Sequence, residues 1–326
     1  MSSQSEVARA NVERAVALLR EGRLVAFPTE TVYGLGADAT NSESLARLYA
    51  VKRRPTDHPV IVHLSAQAGL DDWARQISQS ARDLAAAFWP GPLTLVLQAD
   101  AQVSRRATGG LDTVGLRVPS HPMARELLDE FGGGVAAPSA NRFGRVSPTT
   151  AAAVRSDLGD DVDLVLDGGV CAVGVESTIV DCTGAVARVL RPGAVTIDEI
   201  IGVIGERPLI GGSTRAPGTL PSHYAPEAVV ELVTGPELAA RAHALVAQGK
   251  RVGVIARDAD IDTAEMPFQA VTLATIATVE EFAHGLYAAL RNADRVGVDV
   301  VLAVAPPSAG IGAAVADRLG RAAGGR

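Results

Sequence analysis

Phe27-Pro28-Thr29-Glu30-Thr31-Val32-Tyr33-Gly34-Leu35-Gly36 follows a short apolar run, Leu24-Val25-Ala26-Phe27, that reads as a buried strand. The strand stops at a proline and opens into two hydroxyls, a carboxylate, a phenol and two glycines. Loops at strand ends are where a rigid scaffold presents binding groups. Gly34 and Gly36 allow the backbone to bend or to approach a ligand. A plain turn needs Gly, Asn or Asp, and has no use for Thr, Glu, Thr and Tyr together. A binding site and an ordinary strand exit are both compatible with these ten residues taken alone.

Outward from this stretch, the next signal is a choice of cation. Of 30 basic residues only Lys52 and Lys250 are lysines. Lys52 lies in Lys52-Arg53-Arg54-Pro55, directly after the helix-like run Ser44 to Val51. An ammonium binds phosphate as a point charge and a guanidinium binds it bidentately, so the pair suits an anionic ligand. A solvated helix C-terminus also attracts cations. That accounts for three positive charges but not for the lysine. Lys250 ends a helical run beside Gly249 and has no such company.

The 326 residues suffice for one large core or two domains. Apolar residues make up 47% and aromatics only 4%, so the core is built of Ala, Val, Leu and Ile, as in an α/β protein with covered strands. The net charge of −7 speaks against general coating of nucleic acid, though not against a local basic groove. Cys171 and Cys182 have neither metal spacing nor a disulfide framework, lie in strand-like context and read as inert. A reducing, cytoplasmic setting is expected. Glu6, Arg9, Glu13 and Arg14 interrupt the N-terminus, which has no apolar signal core, and no membrane association is expected.

Periodicity predicts helices at 6–21, 42–51, 78–88, 121–131 and 149–157, and strands at 24–27, 60–64, 93–97, 114–119, 164–166, 177–181 and 186–190. Residues 206–226 break the pattern with Gly211, Gly212, Pro217, Gly218, Pro221 and Pro226, a linker composition that also carries Ser213, Thr214, Arg215, His223 and Tyr224. Beyond it, strands at 229–233, 251–256, 268–272 and 298–304 alternate with helices at 236–248, 278–293 and 311–323, the pattern of a small doubly wound domain. The division is thus a domain at 6–205, a linker or lid at 206–227, and a domain at 228–326.

Polar residues collect at strand exits: Thr29, Thr31, Tyr33, His63, Thr94, Arg117, Ser139, Asn141 and Ser177. Several of these loops could converge at one end of a sheet, as the sites of α/β proteins do. Arg117 stands between Leu116 and Val118, so it faces either a cleft or solvent. Ser147 or Thr149 is placed to cap the following helix, or to contact phosphate there. His58 and His63 lack zinc-helix spacing, Gly132-Gly133-Gly134 is no P-loop, and Gly-x-Ser-x-Gly is absent. What remains is an anion- and hydroxyl-rich cleft suited to a nucleotide and a small polar acid.

In order along the chain, these segments resemble the Sua5/YrdC/YciO family in its two-domain form. The matching pieces are the opening stretch, Lys52-Arg53-Arg54-Pro55 with Pro59-Val60-Ile61-Val62-His63, Trp89-Pro90-Gly91-Pro92-Leu93-Thr94 and Gly115-Leu116-Arg117-Val118-Pro119. They continue through Ala137-Pro138-Ser139-Ala140-Asn141, Ser147-Pro148-Thr149, Glu176-Ser177-Thr178-Ile179-Val180-Asp181, Arg191-Pro192-Gly193 and His223-Tyr224-Ala225-Pro226. The resemblance implies an α/β fold: a YrdC-like twisted mixed sheet with helices, plus a smaller Rossmann-like C-terminal domain. It implies a nucleotidyltransferase that makes L-threonylcarbamoyladenylate and pyrophosphate from L-threonine, bicarbonate and ATP with Mg²⁺, for the t6A base of tRNA. Carried over by position, Thr31, His63, Arg117, Ala137 and Ser177 hold threonine. Arg54, His58, Thr113, Ser139, Ser147, Arg191 and Tyr224 hold the nucleotide. Lys52 and Arg54 are the catalytic cations, and the tyrosine-bearing linker closes over the site. The family commonly has Asn where His58 and Asp317 stand here. The product is expected to pass to a t6A transferase complex, with at most a weak tRNA contact. The alternative is an RNA-binding module of the same fold without catalysis, which the acidic balance disfavours.

Overall fold

The structure is a computed structural model that describes residues 3–66, 69–212, 214–218 and 224–324. Its contacts divide it into two units. The first comprises Met1–Phe143, Pro148–Ala172 and Glu176–Thr219. The second comprises Gly144–Ser147, Val173–Val175 and Leu220–Arg326.

In the first unit, α1 (Ser3–Arg20) leads into β1 (Val25–Phe27), β2 (Gly34–Asp38), α2 (Ser42–Lys52), β3 (Ile61–His63), α3 (Leu70–Trp73), β4 (Ala74–Arg75), α4 (Gln79–Phe88) and β5 (Leu93–Ala99). There follow β6 (Thr113–Arg117), α5 (Pro122–Phe131), β7 (Val135–Ala136), α6 (Ala151–Leu158), β8 (Leu164–Val165), β9 (Thr178–Asp181), β10 (Arg188–Arg191), α7 (Ile197–Ile204) and β11 (Leu209–Ile210). The helices begin where the sequence supplies oxygen caps: Asn41 accepts from Glu43 and Ser44 at α2, Ser78 from Ala81 at α4, and Thr196 forms a capping box with Glu199 at α7. Thr150, rather than Ser147 or Thr149, caps α6.

The strands form one mixed sheet in the order β11-β10-β9-β5-β6-β3-β7-β2-β1-β8, with β4 on β5. Helix α1 and helix α5 bury Val12, Leu19, Leu127 and Leu128 against Phe27 and Val135, while Leu45, Leu48 and Leu84 pack with Val62, Leu95 and Leu116 in a second, larger core. The opening stretch is only partly a loop. Gly34–Asp38 is a strand paired antiparallel with β1, and a Cβ on Gly36 would lie 2.9 Å from the Phe27 ring and 3.0 Å from Val135. Gly36 is therefore a packing glycine, close to core side chains rather than to a ligand. Cys171 and Cys182 lie outside the strands, and burial pushes both thiols up to about 12.

Within the linker-like segment, Leu209–Ile210 is an edge strand. It pairs in parallel with β10, and Arg188 donates to Gly211 O at 3.3 Å. Beyond it, the second unit is a parallel sheet in the order β12 (Val229–Leu232), β15 (Val300–Ala303), β13 (Val252–Ile255), β14 (Val271–Thr272), with α8 (Gly235–Ala247), α9 (Val279–Val296) and α10 (Gly312–Ala323). No described helix is long and apolar enough to cross a membrane.

Candidate active site

Period-two alternation puts Thr113, Gly115 and Arg117 on one face of β6. Parallel pairing sets Ile61 beside Gly115 and His63 beside Arg117, and antiparallel pairing sets Val96 beside Gly115, so Thr94 falls on the same face. Gly115 leaves a gap in this row. A Cβ there would meet Thr94 Cγ2 at 3.5 Å and Ile61 Cγ1 at 3.7 Å, and no backbone nearer than 4.0 Å. Thr113 and Arg117 therefore stand on either side of Gly115, about 13 Å apart along the strand, four residues at about 3.3 Å each.

At the C-terminal end of β6, Arg117 is buried and already paired. Its Nη2 donates to Glu30 Oε1 at 2.7 Å and its Nε to Gly91 O at 3.3 Å, while Glu30 Oε2 accepts from Ser120 N at 3.0 Å. The loop carrying Glu30 is closed on itself: Thr29 Oγ1 donates to Val32 O at 2.6 Å and lies 2.9 Å from Thr31 Oγ1. His63 is buried edge-on to Phe27, and its Nδ1 has no hydrogen-bond partner. Burial, followed by the Arg117 charge, lowers its pKa to about 3, so the imidazole is neutral. Thr94 Oγ1 lies 2.8 Å from Ser177 Oγ, and Arg191 grips the same residue, Nη2 donating to Ser177 O at 2.9 Å and to Ser177 Oγ at 3.2 Å.

A second cluster gathers near the N-terminal end of β3. Lys52 is almost completely buried, and its Nζ donates to Ser139 O and Asn141 O, each at 2.5 Å. Burial first, then the charges of Arg54 and Arg142, hold its pKa well below the usual ammonium value. Arg54 donates to His58 O at 3.3 Å and Pro59 O at 2.8 Å, with its guanidinium 5.4 Å from the Phe143 ring centre. His58 meets the same ring edge-on, and burial and Arg54 lower its pKa. Ala137 lines up with β3 through its N–H to Ile61 O at 2.8 Å.

The polar groups thus do not converge at one strand end. His63, Arg117, Thr94 and Ser177 sit at one end of the row, while Arg54, His58 and Thr113 sit towards the other. Residues 214–217 lie on the same sheet face: Ala216 packs with Val96, Ile179 and Leu190, Thr214 donates to Asp181 at 2.8 Å, Arg215 to Asp57 Oδ2 at 3.1 Å, and Arg191 to Pro217 O at 2.8 Å. Ser147 and Tyr224 belong to the second unit. There Tyr224 is buried at φ +65°, stacked on Tyr287 at 5.7 Å and under the Arg318 guanidinium at 5.3 Å, not held out on a loose linker. Ser213 and His223 lie outside the described residues. Sequence reasoning missed Glu30 and Phe143 as site residues. Glu30 stood in the opening stretch, but its partner is 87 positions away.

The Sua5/YciO/YrdC family model, described as telomere recombination, matches residues 17–193, and the threonylcarbamoyl-AMP synthase C-terminal domain matches residues 195–324. A threonylcarbamoyl-AMP synthase of Pyrococcus abyssi is 43% identical over 323 residues, covering 95% of this chain and 93% of its own. One from Bacillus subtilis is 41% identical, covering 97% and 93%. A crystal structure of P. abyssi Sua5 complexed with L-threonine superposes with a TM-score of 0.89 at 41% identity, covering 97% of this chain and 95% of that one.

Proposed function

The chain belongs to the Sua5 family of threonylcarbamoyl-AMP synthases, and on that premise we propose how its own residues carry the reaction. It is an L-threonylcarbamoyladenylate synthase, using L-threonine, bicarbonate and ATP. The observation that supports the residue assignment is the row around Gly115, with His63, Arg117 and Ser177 at one end and Arg54, His58 and Thr113 towards the other. Threonine lies at the His63–Arg117–Ser177 end, its carboxylate on Arg117 and its hydroxyl within reach of Thr31 and the unpartnered Nδ1 of His63. The nucleotide lies towards Arg54, His58, Thr113 and Ser139, with Arg191 as a further contact.

The threonine amine takes up carbon dioxide derived from bicarbonate, losing a proton, to give a carbamate. A carbamate oxygen then bonds to the α-phosphorus of ATP as the bond to the leaving pyrophosphate breaks. Two anions must meet, so the site has to offset their repulsion. Arg54 and Arg191 supply fixed guanidinium charge. Lys52 holds the Ser139–Asn141 loop through two carbonyls, so it acts on the site partly by placing that loop. The nucleophile is already anionic, and no Ser-His-Asp set is needed. Acceleration comes from positioning and preorganised charge. Among the described residues no group of three or more His, Cys, Asp or Glu is placed to hold a metal. Mg²⁺ is accordingly proposed to be held by the ATP phosphates, where it neutralises the leaving group. The product is proposed to pass to the transferase that forms t6A on tRNA.

Incubation of the chain with ATP, threonine, bicarbonate and Mg²⁺ should release pyrophosphate and form threonylcarbamoyl-AMP. The same mixture without threonine should do neither. Pyrophosphate release that ignored threonine or bicarbonate would overturn the assignment.

A further inference from the structure

Arg117 is held from two sides before any substrate arrives. Nη2 is taken by Glu30 and Nε by the Gly91 carbonyl, whereas Nη1 has no hydrogen-bond partner among the described residues. Glu30 is itself fixed, because its second oxygen accepts from Ser120 N. Both side chains are buried, with 4% and 9% of their area exposed. A buried ion pair is costly to assemble and weak evidence for stability, so its retention inside a binding site needs another reason. The geometry supplies one. A guanidinium at the end of a long, flexible side chain loses considerable freedom when it grips a carboxylate. Here Glu30 and Gly91 have already fixed its plane.

We propose that Glu30 is a positioning residue for the amino-acid substrate: it braces Arg117 so that Nη1 is left as the donor to the threonine carboxylate. The proposal rests on the reading of Arg117 given above. It also accounts for the carboxylate in a loop otherwise made of hydroxyls. Glu30 faces Arg117 and a backbone N–H, and its two oxygens are committed to them. It therefore acts through the guanidinium and not on the reacting atoms.

The test is calorimetric titration of threonine and of ATP, separately, into the full chain and into Glu30→Ala, Glu30→Gln, Glu30→Asp and Arg117→Gln, each checked for folding by near-UV circular dichroism. Glu30→Ala should weaken threonine about tenfold, the cost of ordering a freed side chain, and leave ATP affinity unchanged. Should Glu30→Ala not fold, the other two variants decide. Glu30→Gln keeps one oxygen for Arg117 at the same reach, gives up only the acceptor for Ser120 N, and should lose no more than about threefold; Glu30→Asp keeps the charge but falls one methylene short and should lose about tenfold. Aspartate binding threonine better than glutamine would show that charge, not placement, matters and would overturn the proposal. So would equal losses for threonine and ATP. If Arg117→Gln bound threonine normally, the reading of Arg117 would itself fall. If only Arg117→Gln lost affinity, Glu30 alone would be acquitted of any role.

Discussion

Gly115→Ala should stabilise the protein and impair its activity. The glycine is buried in β6, with no positive φ, and a Cβ would make ordinary contacts at 3.5 Å to Thr94 and 3.7 Å to Ile61. No atom has to move. Replacing glycine inside a strand by alanine restricts the unfolded chain and is worth about 0.5–1 kcal/mol where the native backbone accepts it. For a unit of this size that is about 1–4 °C in Tm. The same methyl, however, rises between Thr113 and Arg117, where the proposed assignment has the two substrates meet. A ligand displaced by about 1 Å from its attack geometry loses about 100-fold in rate, or about 2.7 kcal/mol. The assay is pyrophosphate release at saturating ATP and threonine beside a calorimetric melt of the same sample. A higher Tm with a 10- to 100-fold lower kcat is the expected result. Unchanged kcat for both Gly115→Ala and the bulkier Gly115→Val, each still folded, would refute the row around Gly115 as the place of reaction.

Lys52→Met conserves the buried stem and removes the ammonium that holds Ser139 O and Asn141 O; adenylate formation should fall about 100- to 1,000-fold, the scale of losing one preorganised donor, while Lys250→Met on the exposed surface changes nothing in the same pyrophosphate assay. His63 has a folded pKa of about 3 against an ordinary 6.5, so its contribution is full above pH 6.5 and is lost as pH falls towards 3, at about 1.4 kcal/mol per unit. Urea unfolding should therefore show wild type losing about 3 kcal/mol more than His63→Gln between pH 7.5 and 4.5; parallel pH curves would refute the shift. In Gly193→Ala the new Cβ would fall 2.5 Å from the Ser177 carbonyl carbon and closer still to Thr178 N, backbone against backbone, so a drop in Tm accompanied by loss of threonine binding is expected from melts and titrations. Normal threonine affinity in that variant would mean Ser177 is not held in place by this contact.

Much of the architecture was legible locally. Helices announce themselves by apolar spacing and oxygen caps, and α2, α4, α5 and α9 lie within a few residues of the runs that predict them. Strands β1, β5, β9 and β13 show as short runs rich in Val, Leu and Ile. Strand β2 did not show, because Gly-Leu-Gly-Ala-Asp has no β-branched residue; it is extended only because β1 and β7 pair with it on both sides. Likewise β11 hides in a glycine- and proline-rich segment, and its strand character comes from the edge of β10.

The residue types of the candidate site and their order are legible in the chain, since hydroxyls, cations and glycines at strand exits are local choices. What those residues face is set by contacts between distant segments. Lys52 at a helix end looks solvated until the Ser139–Asn141 loop, 87 residues on, closes over it. Arg117 between two apolar neighbours fits a cleft and a surface equally well. Its burial and its pairing with Glu30 depend on β1, β3 and β6 lying in one sheet in one register. Burial and pairing are properties of distances between segments far apart in the chain, and such distances exist only once the sheet has formed.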